Sequence, residues 1–222
     1  MKKLYGIGTG PGNADLLTLR SVNIMKEVDI IFAPNNKGKN MALDTASEFI
    51  KDKEVVYLDF PMGNVVEKDY EKAANTILDR IPENGKGAFL TIGDPMIYST
   101  FIYIMEELEN KEIEIEIVPG IPSFVASAAE AKFPLTIKGD TFILCDEFHE
   151  GLLEYGDSIS ILKTLRNKEK LINTLEENNY QYDYIKKVSL KDQEILKEKD
   201  EILKDKNYMS LILTRKEWRD KR

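Results

Sequence analysis

Three short segments carry the residue types that could hold or transform a ligand. The first is Gly6-Ile7-Gly8-Thr9-Gly10-Pro11-Gly12, where missing Cβ atoms let backbone amides come close to a bound group. Two phosphate-binding readings fail on inspection. A Walker loop needs Gly-Lys followed by Ser or Thr, and a dinucleotide fingerprint starting at Gly6 or Gly8 needs glycine at 11 or 13, where Pro11 and Asn13 stand. The turn therefore serves an unassigned ligand or is simply a tight strand-to-helix connection. The second segment, Thr91-Ile92-Gly93-Asp94-Pro95-Met96-Ile97-Tyr98-Ser99-Thr100, places a carboxylate and four hydroxyls on and beside a turn stiffened by proline. Asp94 fits a ligand-binding role and a turn or cap role equally. The third is Val118-Pro119-Gly120-Ile121-Pro122-Ser123-Phe124.

Each segment follows a short apolar, β-prone run and precedes a helical pattern. Residues 3–7 read as a strand and 16–27 as a helix, through Leu16, Leu19, Val22 and Met25. A second strand, 28–33, is stopped by Pro34; a helix over 41–50 and a strand over 54–58 follow. The order repeats with a helix over 70–81, a turn at 82–85, a strand over 88–92 and a helix over 99–109. Ile113, Ile115 and Ile117 alternate with glutamates, which suits a strand with one wet face. Strands alternating with helices predict a parallel α/β sheet, whose ligands bind beyond the carboxyl ends of the strands. Three such loops on one edge would form a pocket. After residue 118 the texture changes to a small-residue helix over 123–131 and short strands over 141–145, 158–162 and 208–214. The expected domains are thus 1–118 and 119–222. Within the charged stretch 186–206, Ile195-Leu196-Lys197 recurs as Ile202-Leu203-Lys204. Two repeats are too few for a coiled coil, so a solvated amphipathic helix or hairpin face is expected.

Composition narrows the function classes. The 222 residues carry 31 Lys and Arg against 39 Asp and Glu, a net charge of −8. That balance lacks the basic footprint of a nucleic-acid binder. With 42% hydrophobic and 32% charged residues, the chain can bury a core. Its single cysteine, Cys145, cannot form an internal disulfide, no Cys/His cluster has metal-binding spacing, and the expectation is no metal and a reducing, cytoplasmic setting. The amino terminus lacks the apolar core of a signal peptide, and no apolar run approaches the roughly twenty residues of a membrane span. Cys145 reads as a buried structural thiol and His149, with no nucleophile motif near it, as an exposed inert side chain.

Taken together, Gly8-Thr9-Gly10-Pro11-Gly12-Asn13-Ala14-Asp15-Leu16-Leu17-Thr18-Leu19, Gly93-Asp94-Pro95 and Val118-Pro119-Gly120-Ile121-Pro122-Ser123 resemble three motifs of the tetrapyrrole (precorrin) methylases, a class of S-adenosylmethionine-dependent methyltransferases. The motifs stand in family order on a chain of family length, though the likeness weakens beyond about residue 140. The resemblance implies two α/β domains with a cofactor cleft between them, S-adenosyl-L-methionine as methyl donor and a homodimer. Pro11, Gly93, Asp94, the Ile97 backbone, Ser99, Thr100, Pro122, Ser123 and Leu162 would then bind the donor. Asp94 and Tyr98 would be the candidate catalytic groups. Arg20, Lys37 and Lys39 would meet the carboxylates of a tetrapyrrole substrate, because the global charge would repel it. The Met96-Ile97-Tyr98-Ser99-Thr100-Phe101 and Ile121-Pro122-Ser123-Phe124 sequences are most similar to the branch acting on the C-20 meso carbon of precorrin-2 or cobalt-precorrin-2 in cobalamin synthesis. Other branches remain as alternatives: C-11, C-17 or uroporphyrinogen methylases, or a tetrapyrrole-binding relative without turnover.

Overall fold

A computed structural model of the chain describes residues 1–35, 40–60, 65–164 and 167–217. The chain divides into two compact units, Met1–Pro122 and Ser123–Arg222. The sequence reading sets that division after residue 118. In the structure residues 119–122 stay with the first unit, because the Gly120 N–H is bonded to Asp94 of that unit at 3.1 Å.

In the first unit, strands β1 (Lys2–Gly8), β2 (Ile30–Asn35), β3 (Glu54–Asp59), β4 (Lys86–Thr91) and β5 (Ile113–Val118) form a parallel sheet in the order β3-β2-β4-β1-β5. Helices α1 (Leu19–Glu27), α2 (Met41–Ala46), α3 (Glu67–Arg80) and α4 (Thr100–Leu108) make the crossovers. The first two connections step one way along the sheet and the last two step the other way. Right-handed crossovers therefore place α1 and α2 on one face and α3 and α4 on the opposite face. The core obeys this. Tyr5, Ile7, Ile31, Ala33, Ala88 and Leu90 pack with Met25 of α1 and Ala42, Leu43 and Ala46 of α2. Their neighbours along the strands, Leu4, Ile30, Phe32 and Phe89, pack with Ala73 and Ile77 of α3 and Phe101, Ile104 and Leu108 of α4. That is the period-two alternation of a sheet buried on both sides.

Local differences from the sequence reading have local causes. Pro34 lies within β2 rather than ending it; beyond Phe32 that strand pairs only with β3, so the missing N–H is tolerated at a position without a second neighbour. The expected helix over 16–27 splits into a single turn at Ala14–Leu16 and α1, because Thr18 caps α1 by accepting the Ser21 N–H at 3.1 Å. Gly6 proves to be a packing residue: a Cβ there would lie 2.2 Å from the Phe101 ring.

The second unit opens with α5 (Ser123–Ala131), followed by β6 (Phe142–Cys145), α6 (Leu152–Tyr155), β7 (Ser158–Leu162), α7 (Lys168–Glu177), β8 (Tyr180–Lys186), β9 (Glu194–Leu196), α8 (Lys199–Lys204) and β10 (Ser210–Lys216). Its sheet order is β6-β7-β10-β8-β9, with only the β6–β7 pair parallel. The three short strands expected from sequence correspond to β6, β7 and β10, whereas α7 and β8 were not anticipated. The repeated tripeptide adopts two conformations: Ile195-Leu196 belongs to the β8–β9 hairpin and Ile202-Leu203-Lys204 to α8, with Ile202 fully buried. A buried ion pair anchors the unit, Arg215 on β10 to Asp140 at 2.6 Å, with a second Arg215 bond to the Pro134 carbonyl at 2.7 Å.

Candidate functional site

Strands β1 and β4 are neighbours whose outgoing chains turn to opposite faces of the sheet, which opens a crevice at their carboxyl ends. The loops that leave β1, β4 and β5 meet there and are tied together mainly by backbone. Thr9 is fully buried, and both its N–H (2.9 Å) and its hydroxyl (3.0 Å) donate to the Thr91 carbonyl. One residue on, Gly10 and Gly93 exchange backbone hydrogen bonds, 3.2 Å in one direction and 2.7 Å in the other. The third loop docks through Asp94. Its Oδ1 accepts the Met96 N–H at 2.8 Å and its Oδ2 the Gly120 N–H at 3.1 Å.

Glycine is required here by close approach of chain to chain. A Cβ on Gly120 would sit 2.1 Å from the Gly93 carbonyl oxygen, and one on Gly8 would sit 2.5 Å from the Gly120 nitrogen. Gly93 differs: its φ is +72°, yet the nearest atom to an added Cβ is the Pro122 Cα at 3.9 Å. The chain thus leaves space beside Gly93, bordered by Pro122, where a ligand can lie against backbone.

Around this junction stand most of the residues singled out from sequence. Pro11 is buried, Asp94 and Ile97 are partly buried, and the Ile97 N–H closes the turn onto the Asp94 carbonyl at 3.3 Å. Ser99 is spent on structure: its hydroxyl caps α4 by accepting the Phe101 N–H at 3.1 Å and lies 3.2 Å from the Thr91 hydroxyl. Thr100 opens α4. Tyr98 has φ +47°, a left-handed backbone that costs a residue with a Cβ about 1–2 kcal/mol, and its side chain is half-exposed. The remaining candidates lie on other elements. Ser123 and Leu162 belong to the second unit, at the start of α5 and the end of β7. Arg20 on α1 forms an ion pair with Glu116 of β5, which also takes Lys3 at 2.7 Å; the hydrogen bond from Lys3 is the main reason its carboxyl titrates below the usual range. Lys37 and Lys39 lie outside the described residues. No group of three potential metal ligands occurs among the described residues.

Thr9 and Thr91 escaped the sequence reading as site-forming residues, although both sit at strand ends inside the quoted motifs. Their signal is a buried hydroxyl facing a carbonyl, which depends on the β1–β4 register. Cys145 is buried at the end of β6, and burial, with a smaller effect of Asp146, pushes its thiol up to about 11. His149 is exposed. No helix among the described residues is long and apolar enough to cross a membrane.

Comparison with known proteins places this geometry. Residues 3–202 match the family described as Tetrapyrrole (Corrin/Porphyrin) Methylases. The chain is 35% identical over 224 aligned positions to a probable cobalt-precorrin-2 C(20)-methyltransferase of Methanocaldococcus jannaschii, covering 97% of each protein. It is 36% identical to the cobalt-precorrin-2 C(20)-methyltransferase of Salmonella typhimurium over 61% of this chain and 60% of that one. Among solved structures, a uroporphyrin-III C-methyltransferase from Thermus thermophilus in complex with S-adenosylhomocysteine superposes with a TM-score of 0.71 at 20% identity, covering 96% of both chains.

Proposed function

Because this chain belongs to the tetrapyrrole (corrin/porphyrin) methylase family, we propose that it transfers a methyl group from S-adenosyl-L-methionine to the C-20 meso carbon of cobalt-precorrin-2, or of metal-free precorrin-2, in the building of the cobalamin corrin ring. The observation that carries this reading is the 35% identity, across 97% of both chains, to a relative named for that reaction. The same reading includes a cytoplasmic homodimer.

The residues present suit the donor. Backbone on the open side of Gly93, bordered by Pro122, offers a surface where a nucleoside and amino acid can lie without meeting a Cβ, and Pro11 lies on the neighbouring β1 loop. S-adenosylmethionine supplies an electrophilic methyl on a sulfonium, so the protein's task is alignment rather than generation of a nucleophile. Such positioning can lower a barrier by roughly 7–11 kcal/mol in the best cases. A backbone-tied junction of three loops provides the required rigidity.

Asp94 and Tyr98 divide the remaining work. Two backbone N–H bonds occupy the Asp94 carboxylate, one to each oxygen, so Asp94 holds the β4 loop against the β5 loop and acts as a positioning residue. When C-20 gains a methyl group it must lose its proton. Tyr98, half-exposed on the same loop, is the side chain nearest in sequence that could assist that loss.

The test is a mass-spectrometric assay of purified protein with S-adenosylmethionine and cobalt-precorrin-2. The expected product is heavier by one methyl, located on C-20. Tight S-adenosylhomocysteine binding without a C-20 product would move the assignment to a C-11, C-17 or uroporphyrinogen methylase, or to a binding relative.

A further inference from the structure

The last rung between β1 and β4 carries one hydrogen bond more than the ladder requires. The two strands pair in register from Lys3 opposite Lys86 to Gly8 opposite Thr91. At the next step the Thr9 N–H donates to the Thr91 carbonyl at 2.9 Å, and the Thr9 hydroxyl donates to the same oxygen at 3.0 Å. That carbonyl keeps a backbone donor whether or not the hydroxyl is present. Thr9 is fully buried, so valine, with the same branched shape and no polar atom to satisfy, would serve the fold nearly as well.

What the hydroxyl adds is orientation. Directly beyond this rung both chains enter glycine turns, Gly10 at φ +71° and Gly93 at φ +72°, which exchange backbone bonds of 3.2 and 2.7 Å. The chains then part, one to Pro11 and the other to Asp94. A backbone and a side-chain donor from one residue, both on one oxygen, restrict rotation of the peptide that joins Thr91 to Ile92. Rotation there would carry Gly93, with the space beside it that Pro122 borders, away from Gly10. Thr9 has no exposed surface of its own, so any effect it has on a ligand passes through the two turns.

We propose that Thr9 is a positioning residue for the methyl donor: its hydroxyl, bonded to the Thr91 carbonyl, holds the Gly10 and Gly93 turns at the separation the donor needs. This rests on the functional reading above, since it takes S-adenosylmethionine as the occupant beside Gly93. Methyl transfer from a sulfonium depends on alignment, and a misplacement of about 1 Å can cost on the order of a hundredfold in rate. A hydroxyl that is redundant for the fold and sits one residue ahead of both turns is suited to guard that alignment.

The experiment measures S-adenosylhomocysteine affinity by calorimetry and the melting temperature of wild type, Thr9→Val, Thr9→Ser and Thr214→Val. Thr214 on β10 is the control: it is fully buried and its hydroxyl donates to the Gln181 carbonyl at 2.8 Å, the same kind of bond in the second unit. Thr9→Val is expected to melt close to wild type and to bind S-adenosylhomocysteine about three- to tenfold more weakly, the worth of one hydrogen bond. Thr9→Ser keeps the hydroxyl but loses a buried methyl, so it should melt below Thr9→Val while binding within about twofold of wild type. Function and stability thus rank the two variants in opposite orders. Affinity that follows melting temperature, with serine worse than valine, would overturn the proposal. So would wild-type affinity in Thr9→Val, a Thr9→Val protein that melts well below Thr9→Ser, or an equal loss of affinity in Thr214→Val. Wild type that binds S-adenosylhomocysteine but places no methyl on C-20 defeats the C-20 reading alone, and the affinity order still decides the role of Thr9. Wild type that binds no S-adenosylhomocysteine overturns both.

Discussion

At the scale of single residues, the site consists of polar groups that have been given to the backbone. Asp94 is the sharpest case. A carboxylate that accepts two N–H bonds from different loops is worth more as a joint than as a base. In Asp94→Asn one oxygen becomes an NH2 group, so either the Met96 or the Gly120 N–H must face another donor. The expected result is a loss of about 1.5–3 kcal/mol of stability and a raised KM for S-adenosylmethionine. The pH profile of the remaining activity should keep the wild-type shape. Normal stability and donor affinity with a collapsed kcat would instead make Asp94 a proton acceptor. The sequence showed that a carboxylate stood in a tight turn, and both of its possible roles were open. The Gly120 contact, twenty-six positions away along the chain, is the observation that favours the joint.

At the scale of elements, glycines with similar sequence context have unlike reasons. Gly120 is needed because its Cα face touches the Gly93 carbonyl and Gly8; Gly93 is needed for its φ of +72° and has room beside it. Gly120→Ala should therefore destabilise by about 3 kcal/mol or unfold the first unit, since backbone atoms cannot yield as a side chain would. Gly93→Ala should cost about 1–2 kcal/mol from left-handed strain. Thermal denaturation of the two variants checks the order, and equal losses would contradict the backbone-contact account. The positions of the strand-loop-helix units were legible because apolar runs, glycine turns and helical spacing agree locally. Helix starts were less so. α1 begins at Leu19 and α4 at Thr100 because Thr18 and Ser99 turn their hydroxyls back to cap them. In the second unit, α7 keeps Leu171, Ile172 and Leu175 inside, and β8 carries tyrosines at 180, 182 and 184 with period two. Both patterns are present in the sequence but are diluted by lysines and glutamates.

At the scale of the whole molecule, the lone cysteine reports on folding. Burial raises the Cys145 thiol to about 11, so the folded state favours the protonated form. The sign follows: a raised acid pKa contributes stability that is complete below the ordinary thiol value of 9.0 and is lost as pH climbs toward about 11. The stability difference between wild type and Cys145→Ala should therefore shrink over that interval in denaturant titrations. At pH 8 the native thiol should resist a disulfide reagent that labels the unfolded chain at once. Rapid native labelling would show that the end of β6 opens readily.

Sequence by itself determined the alternation of strands and helices in the first unit, the three loops at one sheet edge and the family, because these rest on short-range patterns read within a dozen residues. Tertiary structure decided the rest. Sheet order placed β1 beside β4 and so put the Gly10 and Gly93 turns in contact; register paired Gly8 with Thr91, which brings Thr9 onto the Thr91 carbonyl; and the β5 loop brought Gly120 onto Asp94. Whether a side chain serves a ligand or the protein's own backbone depends on partners distant in sequence, and those partners exist only once the strands have taken their places.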